Sequence, residues 1–169
     1  EPTAVALHAV NLSKAYSVKN FSKLKILVIG AGSIGILTTL ILKIRKVTNL
    51  SIVDSNSKKL SICKKFTNLS IFKPFQKNLL KQKFDIIYDA VGSKRSREQS
   101  LELVKAGGLI IHIGLSSINE GINFLKLTRN EVKLIGSYAY TNQEFKKSMS
   151  LIHNKKLGSL SWLSLRKLK

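Results

Sequence analysis

Residues 25–54 read KILVIGAGSIGILTTLILKIRKVTNLSIVD, and the rest of the chain is arranged around them. After its first residue, Lys25–Ile29 is an apolar run with no polar interruption, the pattern of a strand covered on both faces in a parallel sheet. Gly30-Ala31-Gly32-Ser33-Ile34-Gly35 follows directly, with G-x-G-x-x-G spacing. Each glycine has its own task in such a turn. Gly30 bends the chain off the strand, Gly32 leaves the backbone bare for a diphosphate, and Gly35 lets the next helix pack close to the strand. That helix, expected over Ser33–Arg45, aims unpaired N–H groups and the positive end of its dipole at the same point. A second strand, Leu50–Val53, ends at Asp54. A carboxylate there can accept hydrogen bonds from both hydroxyls of an adenosine ribose and would repel a 2′-phosphate. Strand, glycine turn, helix, second strand and acid together predict a dinucleotide-binding unit, with NAD preferred to NADP. A membrane span over Ile26–Leu42 is rejected, because the uncharged run is shorter than the roughly 20 residues a bilayer needs and its glycines cluster at a turn.

The 169 residues, 44% of them hydrophobic, suffice for one globular domain with a real core. The single cysteine, Cys63, excludes an intramolecular disulfide and a cysteine-built zinc site within this segment. No secretory signal opens the chain, and a cytoplasmic location is expected. A net charge of +20 raises nucleic-acid or membrane-surface binding. The basic residues are scattered, however, with no basic helix and no aromatic stacking platform, so neither partner is expected. The chain begins at Glu1 and closes on the apolar-basic run SWLSLRKLK, which reads as a piece of a longer protein.

Further along, the sequence alternates strand and helix signals. A helix is expected over residues 1–10, with Pro2 in its first turn, and a polar connector over Val18–Lys23. A helix over Lys58–Phe66 places Cys63 on its apolar side as a core thiol. Asn49 and Asn68 stand at helix-to-strand corners, where asparagine tolerates the left-handed conformation. Ser70–Phe72 is a short third strand closed by Pro74, followed by a weak helix over Phe75–Lys81. Phe84–Asp89 is the fourth strand, with Ala90-Val91-Gly92 as its exit loop. A helix over Ser96–Val104 is expected to end at Gly107-Gly108, before a fifth strand Leu109–Ile113 that leaves through Gly114. Leu115–Asn130 reads as a long irregular link. A sixth strand, Val132–Ser137, precedes a helix over Asn142–Asn154. Right-handed crossovers then give an α/β fold, a doubly wound parallel six-stranded sheet of the Rossmann type, in the order 3-2-1-4-5-6. Its ligand crevice lies at the carboxyl ends of the first and fourth strands.

The segments EPTAVALHAV, KILVIGAGSIGIL, SIVDSNSKKL, FDIIYDAVGS, KAGGLIIHIGL and LTRNEVKLIGSYAYT resemble the cofactor half of the medium-chain, zinc-type alcohol dehydrogenase family. Glu1-Pro2 leans toward the polyol and threonine (sorbitol-like) branch. The resemblance implies that Gly30, Gly32 and Gly35 form the phosphate turn, with the backbone of Ser33 and Ile34 holding the pyrophosphate. It implies Asp54 on the adenosine ribose, Lys59 beside the adenine, and Val91 and Gly92 lining the crevice. Ile113, Gly114, Ser137 and Tyr138 would approach the nicotinamide. Glu1 matches a residue near the catalytic zinc, but one carboxylate cannot hold zinc, which needs about three protein ligands. Zinc would then bind only in a longer protein, and no catalytic residue is expected in this segment. Residues 1–22 read as an inter-domain helix and connector, 23–158 as the NAD-binding domain, and 159–169 as the return to a catalytic domain.

The expected function is an NAD-dependent, zinc-dependent oxidation of a small secondary alcohol, a polyol or amino alcohol, to a ketone. The alternative is a stand-alone NAD-binding module that senses redox state or serves as a scaffold. The sixth strand, 132–137, is expected to pair across a homo-oligomer. His8 and His112 read as packed structural residues, His153 as a helix-terminal residue, and Ser116-Ser117 as loop caps. Asp89 reads chiefly as a cap on the fourth strand's exit loop. Asp85 and Asp89 are too far apart along one strand to form an acid–base pair.

Overall fold

Apolar runs that alternate between two faces place the centre of this protein in a parallel sheet. The computed structural model describes residues 1–16, 20–117 and 122–163. Six strands, β1 (Lys25–Ile29), β2 (Asn49–Val53), β3 (Ser70–Phe72), β4 (Phe84–Asp89), β5 (Val104–His112) and β6 (Lys133–Gly136), lie in the order β3-β2-β1-β4-β5-β6. Every pairing is parallel, with Val28 of β1 beside Ile52 on one side and Tyr88 on the other. Seven helices are described: α1 (Pro2–Ala15), α2 (Ser33–Ile44), α3 (Ser57–Cys63), α4 (Lys77–Leu80), α5 (Lys94–Leu103), α6 (Phe124–Arg129) and α7 (Asn142–His153). The architecture is the doubly wound one that the alternation of signals predicts.

Ile26 and Val28 point to one face with Leu7, Val10, Ile36 and Ile41, while Leu27 and Ile29 point to the other with Leu79, Leu101 and Val104. Each fully buried aliphatic side chain contributes roughly 1.5–3 kcal/mol of burial free energy, so this two-sided packing holds β1 at the centre. Cys63 is buried in the first of these cores, and burial, with the Asp54 charge second, pushes its thiol up to about 11. It is the core thiol that the spacing predicts. No helix among the described residues is long and apolar enough to cross a membrane.

The opening helix runs further than residues 1–10. Small buried side chains, Ala4, Ala6 and Ala9, let α1 lie against α2, and it also meets α7. Glu144 at the start of α7 accepts hydrogen bonds from Asn11 Nδ2 at 2.9 Å and faces His8 Nδ1 at 2.9 Å, so His8 is the hydrogen-bonded structural residue expected. A separate buried contact ties α1 to β4, where the Ser13 and Tyr88 hydroxyls share a hydrogen bond.

Three local expectations are corrected. Gly107-Gly108 does not stop a helix. The chain passes straight from Leu103 into β5 at Val104, and the glycines lie inside that strand. The register jumps from Phe84–Val104 to Ile86–Leu109, a bulge that Gly107 allows with φ +68. The link after Leu115 is not wholly irregular, since α6 occupies Phe124–Arg129, with the Asn123 side chain accepting from Lys126 N–H. At the corner before β2 the left-handed residue is Lys46 (φ 60), not Asn49, whereas Asn68 (φ 52) does take that conformation. Within the expected connector Val18–Lys23, a 3-10 turn covers Phe21–Lys23, and residues 17–19 lie outside the described residues. Residues 118–121 and 164–169 also lie outside them, including most of the expected return to another domain.

Candidate functional site

The carboxyl ends of β1, β2 and β4 converge on the glycine turn. Gly30 has φ +100, and its N–H donates to Val53 O at 2.8 Å, tying the turn to β2. A Cβ on Gly35 would lie 1.8 Å from Gly30 O, so α2 reaches β1 only because that carbon is missing. A Cβ on Gly32 would meet nothing within 4 Å, so the space above it is open. Gly32 caps α2 without a side-chain hydrogen bond, which leaves the N–H groups of the first turn, at exposed Ser33 and half-buried Ile34, free of a side-chain cap. Bare backbone, open space and a helix N-terminus together suit an anionic group.

Asp54 stands at the mouth of this turn. Its Oδ2 accepts from Ala31 N–H at 2.6 Å, and its Oδ1 from Asn56 N–H at 2.7 Å. Asn56 in turn caps α3 through Lys58 and Lys59 N–H. The carboxylate is therefore held between the glycine turn and α3, half-buried, with lone pairs left for further donors.

Across the crevice, Asp89 is fully buried. Its Oδ1 accepts from Val91 N–H at 3.0 Å and Gly92 N–H at 2.9 Å, and its Oδ2 from Ser96 Oγ at 3.0 Å. His112 Nδ1 lies 3.3 Å from the same Oδ2. Asp89 thus caps the exit loop of β4, as the sequence suggests, and His112 packs beside it. A Cβ on Gly92 would fall 1.7 Å from Gly114 O, so the exits of β4 and β5 touch backbone to backbone. Ser116 N–H and Ser117 N–H donate to Val91 O and Gly92 O, and Arg97 Nη2 reaches Gly92 O at 2.8 Å and Ser117 O as well. Ser116 and Ser117 do serve as loop caps.

Between these two walls lies a cleft of about 510 Å³. Gly30, Asp54, Lys59 and Val91, all singled out from the sequence, line it. Gly92, Ile113 and Gly114 belong to the adjoining loop exits. Ser137 and Tyr138 lie at the end of β6, away from the lining residues; Ser137 is buried with its N–H on His112 O at 2.8 Å, and Tyr138 is 84% exposed. Sequence reasoning missed Ser93, Arg95, Ser96 and Gln99 at the start of α5, and Lys73, Pro74 and Phe75 after β3. The capping pair Ser93 and Ser96, directly after Gly92, was the signal available for the first group. Glu1 is exposed at the start of α1, and among the described residues no group of three His, Cys, Asp or Glu is placed to hold a metal ion.

A family model described as zinc-binding dehydrogenase matches residues 33–154. The chain belongs to the zinc-binding dehydrogenase family. This member is 30% identical over 151 residues to an uncharacterized zinc-type alcohol dehydrogenase-like protein (YdjJ) of Escherichia coli K12, covering 85% of this chain and 42% of that one. It is similar to L-idonate 5-dehydrogenase (NAD(P)(+)) of Escherichia coli K12, 25% identical over 169 residues, with 97% of this chain and 48% of the relative covered. The crystal structure of an L-idonate 5-dehydrogenase from Escherichia coli K-12 superposes with a TM-score of 0.82 at 24% identity, over 92% of this chain and 45% of that one. An Escherichia coli CFT073 alcohol dehydrogenase in complex with NADH shares the fold with a TM-score of 0.78 at 20% identity, over 92% of this chain and 47% of that one. The zinc-binding dehydrogenase chain described here thus spans about half the length of the curated relatives it matches, the cofactor-binding half.

Proposed function

We propose that this chain is the NAD-binding half of a dehydrogenase that oxidises a small secondary alcohol, of the polyol or amino-alcohol class, to a ketone. The single observation that carries the reading is Asp54, anchored to Ala31 N–H at 2.6 Å and so fixed at the mouth of the glycine turn. A ribose bound there would present its two hydroxyls to the carboxylate, and a 2′-phosphate would meet like charge instead. The pyrophosphate would lie over Gly32, against the N–H groups of Ser33 and Ile34. Lys59 would flank the adenine, Val91 and Gly92 the middle of the crevice, and Ile113, Gly114, Ser137 and Tyr138 its nicotinamide end. When bound, the dinucleotide supplies the hydride acceptor. The residues of this chain bind and orient it, and the backbone contact between Gly92 and Gly114 holds the two loop exits together at that side.

Zinc does not fit the residues present. Among the described residues no group of three potential ligands includes Glu1, short of the about three protein ligands that a catalytic site requires. In this reading residues 1–22 connect to a catalytic domain, 23–158 bind NAD, and 159–169 lead back toward that domain. The protein works in the cytoplasm. Its free edge strand β6 pairs with that of a second copy.

The test is fluorescence titration with NADH and NADPH. NADH is expected to bind more tightly than NADPH, and Asp54→Ala to remove that preference. Equal affinity of the unaltered chain for both nucleotides refutes the role given to Asp54.

A further inference from the structure

One polar group on the wall of the cleft has unspent hydrogen-bonding capacity. Gln99, one turn beyond Ser96 on α5, lines the cleft and is only 4% exposed. Its Nε2 is sealed from solvent and has no hydrogen-bond partner among the described residues. The two hydroxyls nearest along α5, and one face of the Asp54 carboxylate, are already engaged. Ser96 Oγ donates to Asp89 and accepts from Ser93 N–H, Ser93 Oγ accepts from Ser96 N–H, and Asp54 accepts from two backbone N–H groups. The other buried unpartnered polar atoms, on Thr38, Ser137 and Trp162, do not line this cleft.

A buried amide without a partner is costly, and the cost is recovered when a ligand brings the missing acceptor. Two further features define what that ligand group must be. The amide carries a donor and an acceptor side by side; turned about its last torsion so that Nε2 faces the cleft, it presents the pattern that pairs with the N6 amino group and an adjacent ring nitrogen of adenine. The wall around it also offers apolar surface from Ile29, Val53, Pro74 and Phe75, suited to the face of a planar base. We infer that Gln99 reads the adenine of the bound dinucleotide, as a specificity-determining residue of the adenosine end. This rests on the dinucleotide reading of the cleft given above.

Affinities for NADH and for ADP-ribose are to be measured by calorimetry, with the unaltered chain and with Gln99→Met, which keeps the length of the side chain and removes both polar atoms. The variant should bind both ligands about tenfold more weakly, the loss expected when one buried hydrogen-bonding group is deleted. Its melting temperature without ligand should not fall, because the amide has no partner to lose; a merely structural glutamine would give the reverse. A second measurement needs no variant. The counterpart of NADH carrying hypoxanthine, which replaces the N6 donor by an oxygen acceptor, should bind the unaltered chain several-fold more weakly than NADH. Equal binding of the two bases overturns the inference, as does an unchanged affinity in Gln99→Met. Failure of the unaltered chain to bind either NADH or ADP-ribose overturns instead the dinucleotide reading on which it stands.

Discussion

Gly32 and Gly35 sit three residues apart in the same turn, and their surroundings predict opposite consequences for the same added methyl group. At Gly32, φ is −76 and a Cβ would meet nothing within 4 Å. Gly32→Ala at this N-cap position costs the helix up to about 1 kcal/mol. Lower entropy of the unfolded chain offsets this by about 0.4–1 kcal/mol. The net change in stability is therefore close to zero, and the melting temperature should move by less than about 4 °C. The new carbon nevertheless occupies the space a diphosphate needs, and overpacking of that kind costs roughly 1–3 kcal/mol, a loss of about 5- to 150-fold in NADH affinity. At Gly35 the added carbon would stand 1.8 Å from Gly30 O and 2.9 Å from Gly30 C, both backbone atoms. Helix α2 must then retreat from β1, and the helix propensity gained, about 1 kcal/mol, is outweighed by a packing cost of about 3 kcal/mol or more. Gly35→Ala should melt several degrees lower, by roughly 2–4 °C for each kcal/mol lost. Thermal unfolding by circular dichroism and NADH titration by fluorescence separate the two effects. The reasoning is refuted if Gly32→Ala keeps full NADH affinity, or if Gly35→Ala melts with the unaltered chain.

Two other predictions concern the frame around the site. Burial alone would raise the Glu144 carboxyl, but hydrogen bonds from Thr141, Asn11 and His8 outweigh it and hold the group below its ordinary value near 4.5. A depressed carboxylate stabilises the fold above the unfolded-state value and loses that contribution as pH falls through its folded value. Glu144→Ala, which also removes the capping box of α7, should therefore cost roughly 2 kcal/mol in urea unfolding at pH 7 and clearly less at pH 3.5; the same deficit at both values would contradict the assignment. At the sheet edge, Leu134 is 36% exposed on β6, and light scattering should report twice the chain mass for the unaltered protein and a monomer for Leu134→Lys. A monomer in both cases removes the pairing proposed for that edge.

Where the sequence carried strong local chemistry, the fold was legible from it. Three strands, Lys25–Ile29, Ser70–Phe72 and Phe84–Asp89, start and stop where the apolar runs and the residues that punctuate them say. The glycine turn was equally legible, because each glycine answers a different steric demand: a positive φ at Gly30, open space at Gly32 and a backbone approach at Gly35. Long-range geometry was not legible. Gly107-Gly108 has the look of a helix stop, yet its purpose is a bulge that fits β5 to β4, where a Cβ on Gly108 would lie 2.6 Å from Val104 Cγ2. Helix α6 leaves Phe124 and Leu125 exposed, so it shows no amphipathic stripe, and only the Asn123 cap hinted at it. In the candidate site, Gly30, Asp54, Lys59 and Val91 were legible, whereas Lys73, Phe75 and Gln99 reach the cleft only because β3 and α5 are brought beside Asp54 by the crossovers. Beyond the Ser93–Ser96 cap at the start of α5, the sequence holds no local mark of that convergence.

The central claim is that Asp54 and the glycine turn form one cradle for the adenosine half of NAD. A crystal structure of the chain soaked with NADH tests it most directly. Both ribose hydroxyls should lie within hydrogen-bonding distance of the Asp54 carboxylate, about 2.5–3.0 Å, and the pyrophosphate over Gly32. Nucleotide density elsewhere, or a ribose turned away from Asp54, would contradict it.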